Sequence, residues 1–156
     1  DLANQFGFDR SFVETKIGVK QLYQAKNESV TDLAEHALEK LLSSRNKLRD
    51  KIQLLVVCTQ TPEFQLPQTS AQLQERCGLS NSVASFDISL GCSGYVYGLS
   101  IVESLMVLHG YDYGVLITAE KYSSIINDED RNTINFILTY QIVNFGVTDT
   151  LNIELQ

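Results

Sequence analysis

Apolar residues at Val30, Leu33, Ala34, Ala37, Leu38, Leu41 and Leu42 recur at helical spacing, which predicts an amphipathic helix over about 30–44. Ser29, with Asp32 three positions on, supplies a capping arrangement at its start. From Ile52 to Thr59 the periodicity gives way to a near-continuous apolar run, the pattern of a parallel strand covered on both faces. Pro62 and Pro67 bracket a loop, and a second helix is predicted over 68–77 with Gly78 as its C-terminal cap. Val83 to Ser89 reads as the next strand. A helix then runs from a tight turn at Cys92 to about His109, where Gly110 ends it, and Tyr113 to Ala119 is another buried strand. This alternation of helix and strand predicts an α/β fold: a mostly parallel sheet with right-handed crossovers and helices on its faces. Residues 8–24 read as loop, with a short helical stretch around Arg10 to Glu14. Residues 127–131 read as a charged loop, with its acidic run 127–130 expected to be solvated, and 134–156 read as two or three short strands.

Composition narrows the classes of function. A chain of 156 residues with 44% hydrophobic and 20% charged positions reads as one ordinary globular domain, or half of a larger one. Its net charge of −7, with 12 scattered Lys and Arg, argues against nucleic acid or an anionic membrane as partner. No apolar run approaches the roughly 20 residues a membrane helix needs. Three cysteines without CxxC spacing and two histidines disfavour both a disulfide framework and a zinc site, and suit a reducing cytoplasm. The chain opens on Asp1 with no secretory segment ahead of it, and reads as trimmed or partial rather than exported.

The candidate chemistry lies between Val83 and Val102, where a strand-like run enters Leu90-Gly-Cys-Ser-Gly94 and a helix begins at once. That order places the sulfur of Cys92 at a helix N-terminus, where amide groups and the helix dipole favour negative charge, among small residues that leave room for a substrate. By helix-terminus physics alone a nucleophilic thiol and a buried structural one remain open. Cys58 lies inside an apolar strand and Cys77 near a helix end, and both read as packing residues. Tyr95 and Tyr97 on the following helix are expected to pack rather than react.

The segment Phe86-Asp-Ile-Ser-Leu-Gly-Cys-Ser-Gly-Tyr-Val-Tyr-Gly-Leu99 resembles the nucleophile motif of the β-ketoacyl-ACP synthase III family of the thiolase superfamily. Three further segments resemble the family in order and spacing: Glu14-Thr-Lys-Ile-Gly-Val-Lys20, Val56-Val-Cys-Thr-Gln-Thr-Pro62 with Leu66-Pro67, and Asp130-Arg-Asn-Thr133. The resemblance spans about residues 1–134. It implies a thiolase-like fold of five layers (αβαβα), of which the chain supplies the N-terminal half. In domain terms, residues 1–133 are expected to form the thiolase-like domain and 134–156 a divergent β-rich tail. The family continues after its Asp-Arg-Asn-Thr loop into a Gly-Asp-Gly segment and a second half bearing a catalytic His and Asn. Ile134 to Gln156 departs from that pattern, and His36 and His109 stand at positions that do not match.

The resemblance also implies roles. Cys92 would be the nucleophile that carries the acyl group. Lys16, Lys20 and Arg131 match family positions that contact the nucleotide end of coenzyme A, against the plain alternative of solvated surface charge. Phe12 stands where the family often has a Trp stacked on adenine, which leaves coenzyme A selectivity open. Leu66 matches a residue that reaches across a dimer interface into the partner's acyl pocket, against the plain alternative of a loop anchor beside Pro67. The implied activity is acyl transfer from acyl-CoA or acyl-ACP to Cys92, then condensation with malonyl-ACP or another acceptor. No permanently bound cofactor or metal is expected; the thioester of coenzyme A or acyl carrier protein is the substrate. The implied setting is a cytoplasmic homodimer. Two other readings stand beside this one: a non-catalytic half-subunit that serves assembly, and a sister condensing enzyme of the HMG-CoA synthase or polyketide type.

Overall fold

The computed structural model describes residues 25, 27–45, 47–122 and 125. The expectations for 8–24, for the loop at 127–131 and for 134–156 lie outside the described residues.

Helix α1 (Val30–Ser44) forms where the apolar spacing predicts it and buries Val30, Ala34, Leu38, Leu41 and Leu42. Its start is a capping box: Asp32 N–H donates to Ser29 Oγ at 3.1 Å, and Ser29 N–H donates to Asp32 Oδ2 at 2.9 Å. The Ser29 backbone amide, helped by Arg76 at 2.7 Å, holds the Asp32 carboxyl at about 2, below its usual 3.8. A carboxyl lowered by folding stabilises the fold above its unfolded value and loses that contribution as it protonates. Asp32→Asn is therefore expected to cost about 1 kcal/mol near neutral pH, the size of a helix cap on a partly solvated surface. The gap from wild type should close as pH falls from about 3.8 to about 2, which urea titrations at a series of pH values would measure.

After a single 3-10 turn at Arg49–Lys51, strand β1 (Leu54–Cys58) is buried at every position. Helix α2 (Thr69–Arg76) follows, and Gly78 takes φ +60 just past its end, as a C-terminal cap requires. Strand β2 (Ala84–Ile88), helix α3 (Gly94–His109) and strand β3 (Gly114–Thr118) complete the order, with Gly110 at φ +66 closing α3. The sheet is parallel throughout in the order β2-β1-β3, with Leu54 opposite Ala84 and Gly114, and Cys58 opposite Ile88 and Thr118.

Side-chain alternation along β1 divides the core in two. Leu55 and Val57 pack with Leu73, Val115, Ile117 and the buried face of α1. Leu54, Val56 and Cys58 pack with Val102, Met106 and Leu116 beneath α3. Helices thus cover both faces of the central strand, which is why it carries no polar residue. The positions of α3 that meet the sheet are Gly94, Gly98, Val102 and Met106, one per turn. The two glycines bring the first half of the helix close: a Cβ at Gly98 would lie 2.8 Å from both Leu116 methyl carbons. The other faces of α3 expose Tyr95, Val96, Tyr97, Val107 and Leu108. The expectation that Tyr95 and Tyr97 pack is therefore corrected: at 44% and 59% exposure they turn away from the sheet, because the glycine stripe takes the packing positions. Apolar side chains exposed on two flanks of a helix, beside the polar stripe of Ser100, Glu103 and Ser104, are the kind that a further layer covers. None of the described helices is long and apolar enough to cross a membrane.

Candidate active site

Because the three strands run parallel, the segments leaving their carboxyl ends gather along one edge of the sheet, the edge where open α/β sheets bind ligands. Three segments meet that description: the loop after β1, the turn after β2 that carries Cys92, and the Glu120 segment after β3.

The turn after β2 is short. Ile88 O accepts from Thr59 N–H at 3.0 Å, Leu90 O accepts from the Cys58 thiol at 3.2 Å, and Gly91 O accepts from Gly94 N–H at 2.8 Å. Cys92 and Ser93 lie between these anchors and are exposed, while Gly94 beside them is buried. Cys92 thus stands at the start of α3, where amide N–H groups lack acceptors within the helix. The other two cysteines are buried, and none of the three forms a disulfide. Burial raises the Cys58 thiol above its usual value and pushes Cys77 up to about 12, with Glu39 and Glu35 adding to the effect on Cys77. Both remain protonated packing thiols at neutral pH, as the apolar context of each predicts. Accessibility separates Cys92 from them.

Gly94 is fixed by what lies under it. A Cβ there would collide with Cys58 Sγ and stand 3.3 Å from Leu90 Cβ. Gly94→Ala gains up to about 1 kcal/mol of helix propensity, but overpacking typically costs 1–3 kcal/mol. A net loss of about 1–2 kcal/mol is expected in urea unfolding. Gly98→Ala presses only on the flexible end of Leu116 and should cost less.

The carboxylate of Glu120 organises the loop after β1. Its oxygens accept from Gln60 N–H at 2.6 Å, Thr61 Oγ1 at 2.8 Å and Thr59 Oγ1 at 3.4 Å. Thr61 Oγ1 accepts in turn from Lys121 N–H at 2.9 Å. Burial raises the Glu120 carboxyl above its usual value, and the hydrogen bonds from Thr61, Gln60 and Thr59 oppose that rise. Beyond this anchor the loop exposes Phe64 at 51% and Leu66 at 85%. Such exposure is wrong for an inward anchor and leaves Leu66 open to contact from outside the chain. Gln68 Nε2 donates to Ser85 O, and Gln72 Nε2 donates to Pro67 O, both at 3.0 Å, so the loop is held again as it enters α2.

Neither Glu120 nor Asp87 emerges from sequence reasoning as a site residue. Asp87 interrupts a strand, a position where acidic residues are scarce, and that is the signal that could have drawn attention to it. Its carboxylate accepts from Thr69 N–H and Ser70 N–H, each at 2.8 Å, and so caps α2 from the neighbouring strand. Gln68, the residue at the cap position, makes no side-chain capping bond.

Of the residues proposed for the site, Cys92 and Leu66 belong to segments at the same edge of the sheet. Phe12, Lys16, Lys20 and Arg131 lie outside the described residues. His36 is exposed on α1, across the sheet from α3. His109 stacks on Tyr111 at the opposite end of α3 from Cys92, about 22 Å along the axis at 1.5 Å per residue.

Comparison with known proteins agrees with the fold. The family model for 3-oxoacyl-(acyl-carrier-protein (ACP)) synthase III matches residues 86–137. The β-ketoacyl-(acyl-carrier-protein) synthase III of Streptococcus agalactiae is 36% identical over 122 residues, which cover 78% of this chain and 38% of that protein. The corresponding protein of Oenococcus oeni is 35% identical over 133 residues, covering 85% of this chain and 41% of that protein. The crystal structure of 3-oxoacyl-(acyl-carrier-protein) synthase III from Aquifex aeolicus superposes with a TM-score of 0.74 at 31% identity, covering 81% of this chain and 41% of that one. The chain thus spans about two fifths of the length of these relatives. With sequence relatives, solved structures and the sheet itself in agreement, the chain belongs to the thiolase-like 3-oxoacyl-(acyl-carrier-protein) synthase III family and carries its N-terminal half.

Proposed function

We propose that this chain supplies the acyl-carrying part of a condensing enzyme of the 3-oxoacyl-(acyl-carrier-protein) synthase III type, with Cys92 as nucleophile. The observation that carries the reading is the position of Cys92: it is exposed in a strand-to-helix turn at the carboxyl edge of the sheet, inside the segment that matches the family. In the first half-reaction the Cys92 sulfur, having given up its proton, adds to the carbonyl carbon of an acyl-CoA or acyl-ACP. The carbon–sulfur bond to the carrier breaks, and the carrier leaves as a thiol after taking up a proton. In the second, malonyl-ACP loses carbon dioxide and its α-carbon attacks the acyl carbonyl. A carbon–carbon bond forms, the bond to Cys92 breaks, and the thiolate is regenerated. Amides at the start of α3 are suited to hold the oxyanion in both steps, where a single lost donor typically costs about 100- to 1,000-fold.

The remaining assignments belong to the same reading. Lys16, Lys20 and Arg131 bind the nucleotide end of coenzyme A, with Phe12 as a stacking face. Leu66 enters the acyl pocket of a second copy, which its exposure supports. Strand β2, half-buried along its length at the edge of the described sheet, supports pairing between two copies. The catalytic His and Asn come from the family's second half.

The test is to incubate the chain with radiolabelled acetyl-CoA and octanoyl-CoA and to map the label by peptide mass. Thioester label on Cys92 is the expected result. If iodoacetamide modifies Cys92 while neither thioester labels it, the nucleophile reading is lost for this chain and a role in assembly takes its place.

A further inference from the structure

We propose that Cys58 is a positioning residue for the nucleophile turn, holding Leu90 and Gly94 from below so that Cys92 between them keeps one place. The inference rests on the reading of Cys92 as the acyl-carrying nucleophile and goes beyond it to name what fixes that nucleophile.

Cys58 is the last residue of the central strand, with its side chain on the α3 face. It is 3% exposed, and its thiol donates to Leu90 O at 3.2 Å. Leu90 lies two residues before Cys92. The same sulfur fills the space where Gly94, two residues after Cys92, would carry a Cβ. One buried atom therefore touches both shoulders of a turn whose middle is exposed. The strand end that bears it is itself fixed on both sides: Ala119 N–H donates to Cys58 O at 3.2 Å, and Thr59 N–H donates to Ile88 O at 3.0 Å. The path from sheet to nucleophile is thus one side chain long. Burial keeps the thiol protonated and able to donate. Cysteine suits the task because it is small enough to lie under a helix start and still carries a donor.

Three variants separate positioning from packing. Cys58→Ala removes both donor and volume. Cys58→Val fills the space without a donor, and Cys58→Ser keeps a donor. Two rates are compared: alkylation of Cys92 by iodoacetamide, resolved by peptide mass, and single-turnover acyl transfer from acetyl-CoA. In the Ala and Val variants the acyl-transfer rate at saturation should fall about 10-fold, since a displaced reacting group loses up to about 100-fold per ångström. The half-saturating acetyl-CoA concentration should stay unchanged, and the Ser variant should recover the rate to within about 3-fold. Valine covers the case in which the alanine cavity prevents folding. Ala or Val variants that melt lower yet transfer acyl groups at the wild-type rate would overturn the proposal and leave Cys58 a packing residue. A serine variant as slow as alanine would overturn it too. If the wild-type chain is alkylated at Cys92 but never acylated, the nucleophile reading fails by itself. The alkylation rates then still decide whether Cys58 holds the turn, again by a drop in Ala and Val that Ser restores.

Discussion

Replacing Cys92 by serine should lower acyl transfer from acetyl-CoA to the chain by about 1,000-fold or more, because a hydroxyl is a weak nucleophile at neutral pH without an adjacent base, whereas a thiol ionises within reach of it. The fold should hardly notice. Cys92 is exposed, and backbone groups and Cys58 hold the turn around it. A surface change of this kind stays within about 0.5 kcal/mol. The experiment therefore pairs single-turnover labelling with urea unfolding of the same preparation. Loss of label at unchanged stability assigns the acyl group to Cys92. Label that persists at the wild-type rate in Cys92→Ser places the acyl group elsewhere and removes the reading.

Much of this fold was legible in the sequence because its signals are local. The spacing from Val30 to Leu42, the Ser29–Asp32 cap and the glycines at 78 and 110 act within one or two turns of chain, and the structure places each where that reading puts it. The apolar run at β1 announces burial on two faces because nothing polar interrupts it. The turn at Cys92 was legible for the same reason, since four small or sulfur-bearing residues between strand and helix admit few geometries. What stayed hidden is nonlocal. Glu120 meets Thr59, Gln60 and Thr61 across some sixty residues, and Asp87 meets Thr69 and Ser70 across eighteen and seventeen. No spacing rule connects such pairs; parallel pairing of the strands does. Tyr95 and Tyr97 show the converse error. Read by residue type they belong inside, yet Gly94 and Gly98 define the face that meets the sheet, and the tyrosines are left on the side a further layer would cover.

This division bears on how the edge works. Phe86 and Ile88 of the matched motif pack beneath α3, while Asp87 between them faces the other way and holds α2. One strand thus supports the helix that presents Cys92 and, through α2, the end of the loop that presents Leu66. Glu120 fixes the beginning of that loop from β3. The two segments at the proposed site are held by separate carboxylates and a thiol, so each can be loosened alone by substitution.

Asp87→Ala should be the most destabilising of the single substitutions considered, at about 3 kcal/mol. Thr69 and Ser70 are fully buried, and their amides at the start of α2 have the Asp87 carboxylate as their acceptor. Hydrogen bonds to a charged group contribute about 1.5–3 kcal/mol each, and a buried donor left without an acceptor adds its desolvation penalty. The two bonds share one carboxylate, so their losses overlap and do not simply add. Asp87→Asn keeps one acceptor oxygen but turns an amide nitrogen toward the second donor, and should recover about half of the loss. The measurement is the urea midpoint at unchanged slope, which separates lost stability from a change in the surface exposed on unfolding. Because α2 also anchors the far end of the loop, limited proteolysis near Phe64 should quicken in Asp87→Ala while alkylation of Cys92 keeps its rate. A loss under about 0.5 kcal/mol, the level of an ordinary surface change, would mean that solvent rather than Asp87 completes the start of α2.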